Sequence, residues 1–296
     1  MPFVLAIGLV TLLMSPLLVP FVRFSLGNDL YSHVILIPLV SAYLVWQIRG
    51  TFTPGSAPLR ALATLPASLG AVCLGLLWFD RPTAAQDAMA LTGAAYVCFA
   101  WTAALALVGR DTLRKTVFPL AFLLAMVPFP TAVESAIETF LQHGSAACAY
   151  AMFQLAGTTL YRNDLIFHLP GITLEVAPQC SGIRSSLVLL ITSLVGGYLF
   201  LRSPVRRTIL SLAVIPLALV RNGFRVFVLG ELCVEVGPHM IDSAIHHRGG
   251  PIFFALSLIP FMGLVWLLMR GERKKTPKAP PHKELPTSPH SSSAHP

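Results

Sequence analysis

Charge is what this sequence has least of. Only 11% of its 296 residues are charged, and just 13 are acidic. Hydrophobic residues make up 55%, and the mean hydropathy is +0.71. A soluble chain of this length has too little polar surface to cover so much apolar material, which leaves an integral membrane protein. Cysteine is scarce and unpatterned. Cys73, Cys98, Cys148, Cys180 and Cys233 are odd in number and show no CxxC or zinc-like spacing, which argues against a disulfide scaffold or a metal ribbon. No metal or other cofactor is expected. There is no internal repeat of the kind transporter folds often carry. The net charge of +8 is concentrated in short loops and the tail. That is a positive-inside pattern rather than a nucleic-acid footprint, and no nucleic-acid partner is expected.

What the sequence does have is a series of apolar runs. They lie at about 3–22, 31–48, 61–79, 88–108, 116–130, 184–201, 208–229 and 251–269, each near the ~20 residues needed to cross a bilayer. The first lacks a basic leader and an A-x-A site, so it reads as a retained span rather than a signal peptide. Arg49 and Arg60, then Arg110, Arg114 and Lys115, then Arg202, Arg206 and Arg207, and finally "RGERKKTPKAPPHK" make every second loop basic. The expectation is an all-α polytopic membrane protein of about eight spans with both termini cytoplasmic. Residues 1–270 would form the transmembrane domain and 271–296, rich in Pro, Ser and His, a disordered cytoplasmic tail.

Residues 131–181 stand apart from the runs. "TAVESAIETFLQHGSAACAYAMFQLAG" is amphipathic, and Glu134 and Glu138 argue against a plain lipid-exposed span; an interfacial or re-entrant segment is expected. "TTLYRNDLIFHLPGITLEVAP" has β-branched residues around the turn-forming Pro170-Gly171, which predicts a short extended pair just before Cys180.

With this topology three segments bring reactive side chains to the outer face. Cys180 lies at the outer end of the sixth span, "RNGFR" (Arg221 to Arg225) near the outer end of the seventh, and His246 and His247 before the eighth. A thiol at a helix N-terminus is favoured as thiolate. Imidazole manages protons, and a permanently charged guanidinium stabilises an oxyanion. The set suits acyl transfer through a thioester. Taken singly, each has an ordinary reading: a packed cysteine, a snorkelling arginine, a solvated histidine. A different class also fits, a transporter or flippase for an anionic or polymeric substrate using intramembrane Arg221 and Arg225.

At these residues the sequence resembles the exosortase/archaeosortase family of membrane transpeptidases. "EVAPQCSGIRS" resembles the family's nucleophile motif and maps the catalytic cysteine onto Cys180, with Ser181 beside it. "RNGFRV" resembles its Asn-x-x-Arg motif, which puts Asn222 and Arg225 in register and Arg225 in the catalytic role; Asn222 is expected to orient Arg225. "HHRGGPIFF" resembles its His followed four residues later by Gly, selecting His246 with Gly250, although His247 is adjacent and Pro251 stands where an aromatic residue is common. "YSHVILIPLVSAYLVW" resembles its Tyr-Ser-His pattern and suggests that His33 lines the outer pocket; "FPLAFLLAMVPFP" resembles its Pro-flanked fifth span. Arg221 carries no family role. The resemblance implies partners that are exported proteins ending in a short motif such as Pro-Glu-Pro, a hydrophobic helix and a basic cluster. It also implies cleavage outside the cytoplasmic membrane and transfer to a lipid or glycan acceptor, or release by water.

Overall fold

The structure, a computed structural model, describes residues 2–52, 56–80, 82–242 and 250–273. His246 and His247 therefore lie outside the described residues, as do most of the expected tail and Arg248.

Helices α1 (Pro2–Leu13) and α2 (Ser15–Gly27) come first, followed by α3 (Leu36–Ile48), α4 (Thr64–Phe79), α5 (Ala85–Leu107) and α6 (Arg110–Phe122). Then come α7 (Thr131–Ala156), strands β1 (Tyr161–Asn163), β2 (Ile166–Leu169) and β3 (Ile172–Glu175), α8 (Ile183–Phe200), α9 (Pro204–Glu235) and α10 (Gly250–Arg273). Among the described residues six helical segments are long and apolar enough to cross a membrane, or up to eight if each of two bent helix pairs counts as one span. Large apolar side chains such as Leu69, Val72, Phe79, Ile259 and Leu267 are exposed along these helices. That is the exterior expected of a protein solvated by lipid, and the fold is an all-α polytopic membrane protein with one small sheet.

The two bent pairs differ from the simple runs read in the sequence. The first run is two helices meeting at 79° around Met14. Pro16 lies just beyond that joint, and a proline has no N–H to carry the helical ladder through it. The run expected at 116–130 is the end of α6 and a 3-10 turn over Leu123–Met126, which stops at Val127 because Pro128 and Pro130 force extended backbone before them. The chain then turns by 90° into α7, a 26-residue helix that packs along α9.

The α7–α9 seam is built from small residues. A Cβ added at Gly223 of α9 would fall 2.6 Å from Cys148 Cβ and 2.9 Å from the Ser145 carbonyl oxygen on α7. A Cβ added at Gly144 of α7 would fall 2.7 Å from Leu219. At Gly223 the neighbours include main-chain atoms of α7, so only glycine permits the approach there, and close contact of small residues is the usual basis of helix association in lipid. The expected extended pair is present as β2 and β3, which turn at Pro170-Gly171 with Leu169 opposite Ile172, and β1 adds a third antiparallel strand on the far side of β2. Phe167, Leu174 and Val176 bury against Phe153 of α7 and Val226 and Leu229 of α9. The sheet is thereby fixed to the α7–α9 pair directly upstream of Cys180.

Candidate active site

Cys180 ends a single 3-10 turn, Pro178–Cys180, in which its N–H donates to the Ala177 carbonyl at 2.8 Å. The turn is held at both ends. Upstream, the buried Gln142 side chain on α7 donates to the Val176 carbonyl at 3.0 Å, and the Val176 N–H donates to Leu165. Downstream, Gly182 has φ +75° and starts α8, which runs from Ile183. That left-handed conformation costs any L-residue with a side chain, so glycine is what lets the chain turn from the cysteine into the helix. Ser181 is buried and its hydroxyl accepts from the Ile183 N–H at 3.4 Å. The thiol is half-buried, three residues before the first turn of an 18-residue helix.

α9 supplies the other wall. Asn222, only 3% exposed, donates through Nδ2 to the Cys180 carbonyl at 2.6 Å and to Ser145 Oγ on α7 at 3.1 Å. Its Nδ2 is thus used to position the cysteine main chain. Arg225, one turn further along α9, lines a cleft of about 340 Å³ of empty volume together with Cys180, Asn222 and Glu175. Val176 and Val226 supply apolar wall. Thiol, amide and guanidinium are therefore brought to one cavity by segments more than forty residues apart in sequence.

His33 is placed elsewhere. It lines a second, largely apolar groove of about 710 Å³ of empty volume, beside Tyr31 and Phe129 and against Leu187, Leu190 and Ile191 of α8. At Tyr31 and Phe129 this groove adjoins a polar cluster. Tyr31 and Gln86 both donate to the Glu134 carboxylate, and Gln86 also reaches the Phe129 carbonyl at 2.9 Å. Burial first, then the hydrogen bond to Glu134 and its charge, push the Tyr31 phenol above its usual range. Asp87 caps α7 by accepting from the Thr131 N–H at 2.7 Å. Asp29 pairs with Arg184 at 2.9 Å, which ties the loop before Tyr31 to the first turn of α8.

The five cysteines are free, so Cys180 and Cys233 are not joined. Among the described residues no group of three His, Cys, Asp or Glu side chains is placed to hold a metal ion. Several contributors had no signal of their own in the sequence. Ser145 and Gln142 are polar residues in an apolar stretch whose partners lie 77 and 34 residues away.

Fold and site together define a polytopic helical membrane protein with a half-buried thiol seated between a helix start and an arginine-bearing helix. The chain belongs to the exosortase family: the family model described as Transmembrane exosortase (Exosortase_EpsH) matches residues 25–263. That match takes in both Cys180 and Arg225, and membership implies a membrane cysteine peptidase or transpeptidase. No curated protein and no solved structure matches the chain.

Proposed function

We propose that this protein is a cysteine transpeptidase of the cytoplasmic membrane, with both termini cytoplasmic and the site on the outer side, that removes C-terminal sorting tails from exported proteins. The observation that carries this reading is the 2.6 Å bond from Asn222 to the Cys180 carbonyl, which holds the thiol beside the helix that bears Arg225. In the first step the Cys180 sulfur attacks the scissile carbonyl. The thiol proton passes to His246 as the C–S bond forms, Arg225 stabilises the oxyanion, and the C–N bond breaks as His246 gives that proton to the leaving amine. In the second step an amine, hydroxyl or water attacks the thioester, loses its proton to His246, and releases the Cys180 sulfur. Asn222 and Ser181 support the nucleophile turn, and His247 is the neighbour against which the His246 assignment is tested. Substrates would carry a short motif, a hydrophobic helix and a basic end, and the acceptor would be a lipid or glycan.

Mass spectrometry of the C-termini of exported proteins, in cells with wild-type enzyme or Cys180→Ala, tests this. Hydrophobic tails kept only in the variant support the reading, and the mass added to each wild-type end identifies the acceptor. Identical C-termini in both strains would sink it. A transporter using Arg221 and Arg225 would tolerate Cys180→Ser, whereas a thioester enzyme would lose turnover.

A further inference from the structure

Arg221, the residue before Asn222, has no part in the chemistry above, and its surroundings are unusual. The residue is only 7% exposed, within a helix of membrane-spanning character. Its Nη2 lies 3.4 Å from the Gly182 carbonyl and 3.3 Å from Ser186 Oγ, both on the turn that follows Cys180. Its Nη1 is buried with no hydrogen-bond partner among the described residues. No carboxylate among the described residues lies within ion-pair distance of it, and the charge that acts on it is the like charge of Arg225.

Neither contact neutralises the charge. The Gly182 carbonyl already accepts from the Ser186 N–H at 3.0 Å, the Ser186 hydroxyl at 2.8 Å and the Ser185 hydroxyl at 3.0 Å. A fourth donor at 3.4 Å adds little to a carbonyl with two lone pairs. The guanidinium also sits against the positive end of α8, where a second cation is disfavoured. A buried cation with an idle donor, opposed by a helix dipole, is under-satisfied as a purely structural element. It is well suited to a place where negative charge appears. The absent side chain at Gly182 makes room for it, because a Cβ there would fall 3.2 Å from Nη2.

We propose that Arg221 is a positioning residue of the Cys180 centre: it tethers the nucleophile turn to α9 through Ser186, and its buried charge adds to that of Arg225 in balancing the anion formed there. The proposal deepens the acyl-transfer reading and rests on it for the reaction, but its electrostatic half is measurable without turnover.

The experiment labels the full-length protein in membranes with two methanethiosulfonate reagents, one anionic (sulfonatoethyl) and one cationic (trimethylammonioethyl). Modification of Cys180 is followed by peptide mass spectrometry. The thiolate displaces sulfinate from each reagent to form a mixed disulfide, so the ratio of the two rates cancels changes in thiol ionisation and access. Arg221→Gln is expected to lower the anionic-to-cationic ratio several-fold, and Arg221→Lys to keep it. A ratio unchanged in Arg221→Gln overturns the electrostatic role, because a merely structural loss alters both rates together. Ser186→Ala tests the tether: kcat for tail removal falls while KM and the labelling ratio hold. A kcat equal to wild type in Ser186→Ala overturns the tether. If Arg221→Gln does not accumulate, the labelling test passes to Arg221→Met, and loss of the ratio there, with retention in Arg221→Lys, supports the charge. Failure of the acyl-transfer reading would appear separately, as unchanged C-termini in Cys180→Ala.

Discussion

The side-chain amide of Asn222 donates to the main-chain carbonyl of Cys180 across 2.6 Å, and the same nitrogen reaches Ser145 Oγ. One amide thus joins α7, α9 and the nucleophile turn. Replacement by Leu leaves the Ser145 hydroxyl without its donor and the Cys180 carbonyl without its anchor in a low-dielectric setting. Loss of a buried hydrogen bond of this kind costs about 1–3 kcal/mol. Asn222→Leu is expected to lower the thermal midpoint in detergent and to lower tail processing more than the stability loss explains. Asn222→Asp, which sets a carboxylate against the Cys180 carbonyl oxygen, is expected to be worse than Leu. Equal processing in both variants and wild type would refute the anchor.

Gly182 combines two demands. Its φ is +75°, and a Cβ would fall 3.1 Å from Asn222 Oδ1 as well as close to Arg221. The left-handed conformation alone costs an L-residue roughly 1–2 kcal/mol. Gly182→Ala is expected to reduce turnover at least tenfold, roughly the effect of 1.4 kcal/mol expressed in the transition state, with normal membrane accumulation; in-gel quantitation beside a processing assay checks both.

Gly223 and Gly75 form a matched pair. Gly223 sits where a Cβ meets Cys148, Ser145 and Ala149, whereas Gly75 on α4 has nothing within 4 Å. Over-packing a closely fitted contact costs about 1–3 kcal/mol. Gly223→Ala is expected to lower the thermal midpoint and Gly75→Ala to leave it unchanged or raise it slightly. Similar effects of the two would mean that α7 and α9 are not closely apposed.

Tyr31 gives a pH dependence with a definite sign. Burial, then the hydrogen bond and charge of Glu134, raise its phenol above the unfolded value near 10. The folded state therefore holds its proton where the unfolded chain loses it. The stability so contributed is complete below about pH 10 and declines as pH rises further. The difference in unfolding midpoint between wild type and Tyr31→Phe is expected to narrow as pH is raised from about 9 to 11. A constant difference over that range would show that Tyr31 titrates normally.

The apolar runs announced the helices, and the motifs around Cys180 and "RNGFR" announced that α8 and α9 meet at one site, because both signals are local in sequence. What depends on distant partners was not legible. Glu134 argues against a plain lipid-exposed span, and the groups that satisfy it could not be read because Tyr31 and Gln86 lie 103 and 48 residues away. β1 escaped notice because "YRN" is short and polar and becomes a strand only when β2 offers Ile166, Phe167 and His168 as partners. His33 lines the apolar groove beside α8 and not the Cys180 cleft, since a span assignment fixes depth but not which neighbour a face meets. The same holds for Arg221. Helical periodicity places it on a face, while its contact with Gly182 follows only from how α9 crosses the start of α8.

The three-stranded sheet satisfies its main chain by cross-strand pairing, and α8 satisfies its own along the helix axis. Between Glu175 and Ile183 neither repeating pattern operates. There the backbone is secured bond by bond, through Gln142 to Val176, Ala177 to Cys180 and Asn222 to the cysteine carbonyl. A segment secured in this way has no cooperative neighbour to absorb a defect or to spread one. Substitutions at its anchor points should therefore displace the thiol locally while the bundle stays assembled, so inactive yet well-folded variants should concentrate in and around this short stretch.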